Sequence, residues 1–543
     1  MLISMAFLVS LPILAVFSYL FVPATDVWKH LAETVLSDYL SNSFWLILGV
    51  GFGVLVIGVP VAWLNSMCEY PGRRFFEWAL LLPLAMPAYI IAYTYTGMLD
   101  FSGPVQTLIR DVTGWGYGDY FFPEIRSLAG AILMLSLVLF PYVYLLARAA
   151  FLEQSICVLE VSRTLGANAW QSFSRVALPL ARPAIITGLS LALMETLADF
   201  GTVQYFGVST FTTGIFRTWF GLGDSAAAAQ LAALLMSFVF VLIMIERWSR
   251  RKARYHHTTS KYSAIPKYKL KGKWAIIAVI ACTLPLVLGF IIPVAQLLYW
   301  SITVGEQSFD QDFLRLVGHS LLLACLAAVF ALGLALLLGY GKRVDTHPSV
   351  SIAARIAAMG YAVPGTVIAI GVLIPFTWLD TQLNNGIKSI TGESWGLMFS
   401  GTLFTLLFAY NVRFLAVSLQ TVESGLGKIK PTLDNAGRSL GLNAFGVLRH
   451  LHLPLMKGSL LTALLLVFVD VLKELPATLI LRPFNFNTLA VKAYELAADE
   501  RLADAGLPSL MIVLVGIIPV ILLSKTIGRS RVSQKNASHK ESI

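Results

Sequence analysis

The stretch LEVSRTLGANAWQSFSRVALPLARP (159–183) returns late in the chain as LDNAGRSLGLNAFGVLRHLHLPLMKG (433–458). Both copies place Leu-Gly, Asn-Ala and Leu-Pro at identical internal spacing, and both carry an arginine three residues before the glycine, at Arg163 and Arg438. A positive φ is inexpensive at Gly166 and Gly441. Each copy therefore predicts a short amphipathic helix ending at the glycine, then a second short helix that stops near Pro179 or Pro454. Such an element lies across one face of the protein and presents a knob to a partner. The repeat extends outward: Ser43 matches Ser320 and Pro87 matches Pro364 at a shift of 277, while Gly166 matches Gly441 and Pro179 matches Pro454 at a shift of 275. The two-residue change in register falls where an insertion is easily tolerated.

Around these copies the chain is too apolar for a water-soluble surface: 543 residues are 57% hydrophobic and 13% charged, with a mean hydropathy of +0.74. A crossing helix needs about 20 apolar residues. Twelve stretches meet or approach that length: 2–22, 43–64, 78–99, 128–146, 184–208, 226–245, 274–300, 320–340, 356–379, 395–412, 460–481 and 507–523. The first lacks a basic leading region and reads as a retained helix. The expected fold is an all-α polytopic membrane protein with twelve transmembrane helices in two parallel six-helix repeats. One half spans 1–246 with its loop at 151–183, the other 274–528 with its loop at 426–458. A basic linker (247–273) joins them, and 529–543 form a polar tail.

The net charge of +10 follows the topology. When loops are assigned alternately to two sides, one side holds 30 Lys and Arg, the other nine, and Lys473 lies within a span. The basic side, with both termini, is then cytoplasmic. This leaves no need to invoke nucleic acid and makes lipid the surrounding partner. The four cysteines form no CxxC and no His/Cys cluster, which argues against a disulfide framework or a structural zinc.

Ionisable groups at membrane depth cost about 2.5–3.5 kcal/mol each and need a reason. Glu195 and Asp199 sit four apart in the fifth span, and Asp470 and Glu474 occupy the equivalent places in the eleventh. Each pair is expected on one helix face. Either they brace the bundle, with Lys473 neutralising a carboxylate and the acids accepting bonds from backbone freed at Gly201 and Pro476, or they border a translocation route and attract a cation. Oxygen ligands suit hard cations such as trivalent iron. Tyr89, Tyr93 and Tyr95 offer phenolic oxygens, although belt or core packing accounts for them as well. No stable metal site is expected.

The doubled loop resembles the EAA loop of importer-type ABC permeases: EAA, three residues, Gly, nine residues, Ile, one residue, Leu-Pro. The first copy matches at Glu160, Val161, Ser162, Gly166, Val176, Leu178 and Pro179. The second departs further, with Asn435, Ala436, Gly437, Gly441, Leu451, Leu453 and Pro454. The resemblance implies that Glu160, Arg163, Gly166, Leu178, Pro179, Asn435, Arg438, Gly441, Leu453 and Pro454 couple the chain to an ATPase, with Asn435 lacking the family's acid. No GxxxxGK[ST] occurs, so the chain has no P-loop to hold ATP and binds no cofactor of its own. It is then a non-catalytic subunit, with two copies of a separate ATPase consuming the ATP and a periplasmic or extracellular iron-binding protein delivering substrate. LAMPAYIIAYTY, ETLADFGTVQYFGVSTFTTGIFRTWF and LKELPATLILRPFNFNTLAV look like the fused permeases of bacterial ferric-iron importers, placed in the inner membrane. Fused thiamine permeases share the architecture, and sulfate, molybdate and polyamine permeases share the loop. An ion-coupled secondary transporter is the rival from another class, and the doubled loop argues against it.

The charge asymmetry sets a first test. Single cysteines at Ser260 and Ser533, in a cysteine-free background, should react with impermeant reagent only from the cytoplasm; labelling of either from outside overturns the orientation.

Overall fold

The computed structural model describes residues 2–521 apart from 24, 117, 154–168, 252–266, 309 and 346. The protein is all-α. Among the described residues the one strand pairing is a short parallel bridge of Cys68–Glu69 with Tyr268–Lys269. Nine described helices are long and apolar enough to cross a membrane, from Leu2–Phe21 to Leu403–Gly427. Two further candidates are bent pairs, Arg73–Ala85 with Ala88–Thr113 at 90° and Ala444–Leu455 with Lys457–Leu472 at 80°, and Gly506–Ile521 is a shorter apolar helix. Among the described residues, length and composition give nine to eleven spans, where the sequence suggests twelve.

Proline and its neighbour set the first bend. The residue before a proline is pushed out of the helical region. Met86 and Pro87 are accordingly extended (ψ 113° and 141°), and so are their repeat partners Val363 and Pro364 (ψ 126° and 143°). The expected spans 78–99 and 356–379 are therefore interrupted, with helices starting at Ala88 and Gly365.

The chain packs as two compact units, and these are not the two sequence halves. One contains Met1–Val35, Phe211–Met236 and Gly305–Asp499; the other contains Leu36–Thr210, Ser237–Val304 and Glu500–Ile543. Each combines the middle spans of one half with the first helix of the other. In the first unit, helix Leu2–Ser18 lies on helices Pro348–Ala357 and Gly365–Thr391. Its end is tied by Gln230, whose Nε2 donates to the carbonyls of Tyr19 (3.3 Å) and Val22 (3.0 Å). In the second unit, helix Lys273–Leu286 lies on Leu36–Met67, and the π-helical turn Val287–Ile291 rests on Leu128–Glu153. That turn presents the Leu288 carbonyl to the Tyr95 hydroxyl at 2.7 Å.

The exchanged helix depends on close backbone approach. A side chain at Gly371 would collide with the Pro12 carbonyl, whose carbon would lie 2.8 Å from a β-carbon there. Gly371→Leu should lift helix Leu2–Ser18 from its seat at a cost of about 1–3 kcal/mol. Thermal unfolding in detergent, compared with Gly386→Leu where the surroundings are open, checks this.

Candidate coupling and translocation sites

Of the first loop, Glu160, Arg163 and Gly166 lie outside the described residues. Leu178 and Pro179 open helix Leu178–Ala198 directly after a π-helical turn, Phe173–Ala177. Leu453 and Pro454 follow the π-helical turn Leu448–His452 in the same way, at the repeat shift. Proline has no N–H for the carbonyl four residues back, and a π-helical turn, which shifts each bond to the fifth residue, accommodates the gap.

The second loop forms as the sequence predicts. Helix Pro431–Ser439 ends at Gly441, which takes a φ of 86°. The Leu442 N–H donates to the Gly437 carbonyl (3.1 Å) and the Gly441 N–H to the Arg438 carbonyl (3.0 Å), the paired bonds of a Schellman motif. Asn443 then caps the next helix, accepting from the Gly446 N–H at 2.7 Å. Asn435 and Arg438 are exposed beside this turn. Leu440 and Phe445 stand 84% and 67% exposed on it, an apolar knob left uncovered by the described residues.

The four acids do not form two helix-face pairs. Helix Leu178–Ala198 ends before Asp199, and helix Lys457–Leu472 ends before Glu474, so the chain breaks between the acids of each pair. The cause is local. Asp199 Oδ1 accepts from the N–H groups of Thr202 and Val203 (3.1 Å each), and Oδ2 accepts from the Thr202 hydroxyl (3.0 Å). Glu474 accepts from the N–H groups of Ala477 and Thr478 (3.0 Å each) and from the Thr478 hydroxyl (2.7 Å). Each carboxylate thereby starts the short helix that follows, Gly201–Tyr205 or Pro476–Leu481. Asp470 pairs with Lys473 at 2.9 Å. Glu195 and Asp470 are half-buried, and Glu195 stands on the last turn of its helix.

Arg413 is the residue that sequence reading misplaced. Left just past the expected span 395–412, it lies inside helix Leu403–Gly427, buried, with Nη1 2.8 Å from Glu474 Oε1. The signal was present as a lone arginine in the apolar run LLFAYNVRFLAV. Gly365 makes room for the pair, since a β-carbon there would sit 2.7 Å from Glu474 Oε1. The tyrosines are packed: Tyr93 meets Tyr89 and Tyr205 ring to ring at 5.7 and 4.7 Å. Among the described residues no group of three His, Cys, Asp or Glu is arranged to hold a metal.

In the second unit, a cavity of about 780 Å³ lies among the segments around 99–126 and Glu500. Arg126 grips both Glu500 oxygens at 2.8 Å, which holds that carboxyl below its usual range, and its guanidinium lies 5.0 Å from the Tyr205 ring centre.

Residues 55–255 match the family described as binding-protein-dependent transport system inner membrane component. Over those residues the chain is similar to permease components of such systems. The chain is 28% identical over 531 residues to the Fe(3+)-transport system permease protein FbpB 2 of Haemophilus influenzae, covering 95% of this chain and 96% of the relative. It is 23% identical over 543 residues to the ferric transport system permease protein FbpB of Actinobacillus pleuropneumoniae, covering 94% and 74%. The molybdenum transport system permease protein ModB of Escherichia coli K12 is 27% identical over 228 residues, which are 41% of this chain but 94% of ModB. ModB therefore has the length of one half, and FbpB 2 that of the whole.

The buried Arg413–Glu474 pair sets a stability test. Glu474→Ala leaves Arg413 without this partner and two N–H groups without their acceptor, at a cost of about 3–5 kcal/mol. Glu474→Gln, which keeps an acceptor, should cost less, and Arg413→Met combined with Glu474→Gln should recover part of the loss. Equal unfolding temperatures for all three variants would contradict the assignment.

Proposed function

We propose that this permease moves ferric iron, received from an iron-binding protein outside the cytoplasmic membrane, through an ATP-binding-cassette importer whose two ATPase subunits are separate chains. The observation that carries the substrate is full-length similarity to proteins named for Fe(3+) transport, against half-length similarity to one named for molybdenum. In support of the ATPase reading, the turn at Gly441 offers exposed Leu440 and Phe445 beside Arg438 on a stiffly closed loop. Nucleotide-driven closure shifts the permease only through contacts that differ between its two states. A knob rigidly continuous with the spans meets that need. In the topology adopted above, the twelve stretches all cross, both termini are cytoplasmic, and the Glu160–Pro179 and Asn435–Pro454 segments face the ATPases.

Of the acids, Asp199 and Glu474 spend their oxygens on backbone and hydroxyl donors, which supports a bracing role. Glu195 and Asp470, half-buried and outside those caps, are the better candidates to attract a passing cation. Iron is cargo here. Few ligands at any point suit a route, because strong chelation would block release.

The test uses the permease reconstituted with its ATPase and iron-loaded binding protein. Gly441→Pro, incompatible with φ 86°, should lower iron transport about tenfold or more, equivalent to at least about 1.4 kcal/mol of lost coupling. Glu160→Ala should harm coupling more than Asn435→Ala. Glu195→Gln with Asp470→Asn should assemble and hydrolyse ATP yet move less iron. Stimulation by a molybdate-loaded binding protein and none by the iron-loaded one would replace the substrate; normal transport by Gly441→Pro would remove the loop from coupling.

A further inference from the structure

The last turn of helix Gln311–Val344 ends in Tyr340, Lys342 and Arg343, and all three hold the second coupling segment or the helix leading into it. Arg343 is the hub. Its Nε donates to Asp434 Oδ2 (2.7 Å), Nη1 to the Leu426 carbonyl (2.6 Å) and Nη2 to the Ile429 carbonyl (2.8 Å). The other Asp434 oxygen lies 2.8 Å from Nε2 of His452, a residue with no exposed surface. The Tyr340 hydroxyl donates to the Ala444 carbonyl (2.6 Å), with its ring 5.4 Å from His452, and Lys342 pairs with Glu423 at 2.8 Å. One helix end is thus fastened to the end of Leu403–Gly427, to helix Pro431–Ser439 and to the two short helices after Gly441.

The first half has none of these groups at the matching positions. At the repeat shifts, Tyr340, Lys342 and Arg343 correspond to Trp63, Asn65 and Ser66, while Asp434 and His452 correspond to Leu159 and Ala177. There Trp63 packs on Phe151 and Phe173 at 5.5 and 5.1 Å, so aromatic contact stands where the second half uses charge.

We propose that Asp434 is a positioning residue for coupling: clamped between Arg343 and His452, it makes the turn bearing Leu440 and Phe445 move as one body with helix Gln311–Val344, so that the second half transmits displacement through a buried ionic clamp and the first through aromatic packing. The clamp is directional because the guanidinium fork fixes three acceptors at once, a geometry lysine cannot reproduce. Loss of one partner leaves the others poorly compensated, so the network acts as a unit. The coupling part rests on the ATPase reading above; the clamp itself does not.

Two measurements separate these. In the permease alone, in lipid nanodiscs, hydrogen exchange of the backbone amides of 432–447 should rise about tenfold in Asp434→Asn and in Arg343→Lys, with the core of helix Gln311–Val344 unchanged. Unchanged exchange in both variants overturns the clamp. In the complex, Asp434→Asn should assemble and retain ATP hydrolysis while iron moved per ATP falls several-fold. The apolar replacement Arg343→Met with Asp434→Leu should restore thermal stability without restoring that ratio. Recovery of the ratio by this apolar pair, or a normal ratio in Asp434→Asn, overturns the role in coupling. A wild-type permease that binds no ATPase, yet whose exchange responds to Asp434→Asn, overturns the ATPase reading and the coupling role while leaving the clamp standing.

Discussion

A backbone N–H that leaves its helix inside an apolar layer finds no water there, and each one left unsatisfied costs several kcal/mol. The chain breaks two of its apolar segments, after Ala198 and after Leu472, and the fold around both breaks depends on a carboxylate that takes up the freed donors. Asp199 and Glu474 do this with the same pattern, bonding the third and fourth residues onward and a hydroxyl. Their spacing equals the repeat shift of 275, so the cap belongs to the duplicated unit. Glu474 has Arg413, whereas the position 275 residues earlier is Val138.

The exchange of first helices follows from the same need to bury apolar faces. Helix Leu2–Ser18 carries no charged residue, and helix Lys273–Leu286 carries one, at its start. Neither has a polar face to present, and each is seated on the middle spans of the opposite half. A half cut at the basic linker would therefore lose a helix from its own compact unit and carry one belonging to the other. The duplicated sequence and the compact unit are different divisions of this chain, and only the second describes what packs with what.

Much of this was legible in the residues. Apolar runs located the helices, and the Leu-Gly, Asn-Ala and Leu-Pro spacing foretold the turn at Gly441, because a positive φ and an Asn cap are decided within a few residues. The 90° bend was also written in Pro87, but its size depends on what the preceding helix packs against, and periodicity carries no such information. The acids at 195 and 199 read as a helix-face pair because a spacing of four is informative only while the helix continues; Asp199 itself ends the helix. Arg413 was legible only as a lone charge in an apolar run, for a different reason. Its partner Glu474 is 61 residues away, and a lone arginine near a predicted span end reads as a loop charge unless the partner is known.

The two repeated segments share a sequence plan and differ in where they carry their acid. The first carries Glu160 at the leading EAA position, whereas the second has an exposed Asn435 there and places its carboxylate one residue earlier, at Asp434. A helix advances 100° per residue. That single step turns the acid from the outer surface towards Arg343 and His452, where it is largely buried. The knob it leaves behind offers leucine and phenylalanine with Arg438 and no carboxylate at 435. The work of the charge therefore depends on its position: at 435 a side chain stands exposed, and one residue earlier the Asp434 carboxylate holds the turn to the helix behind it.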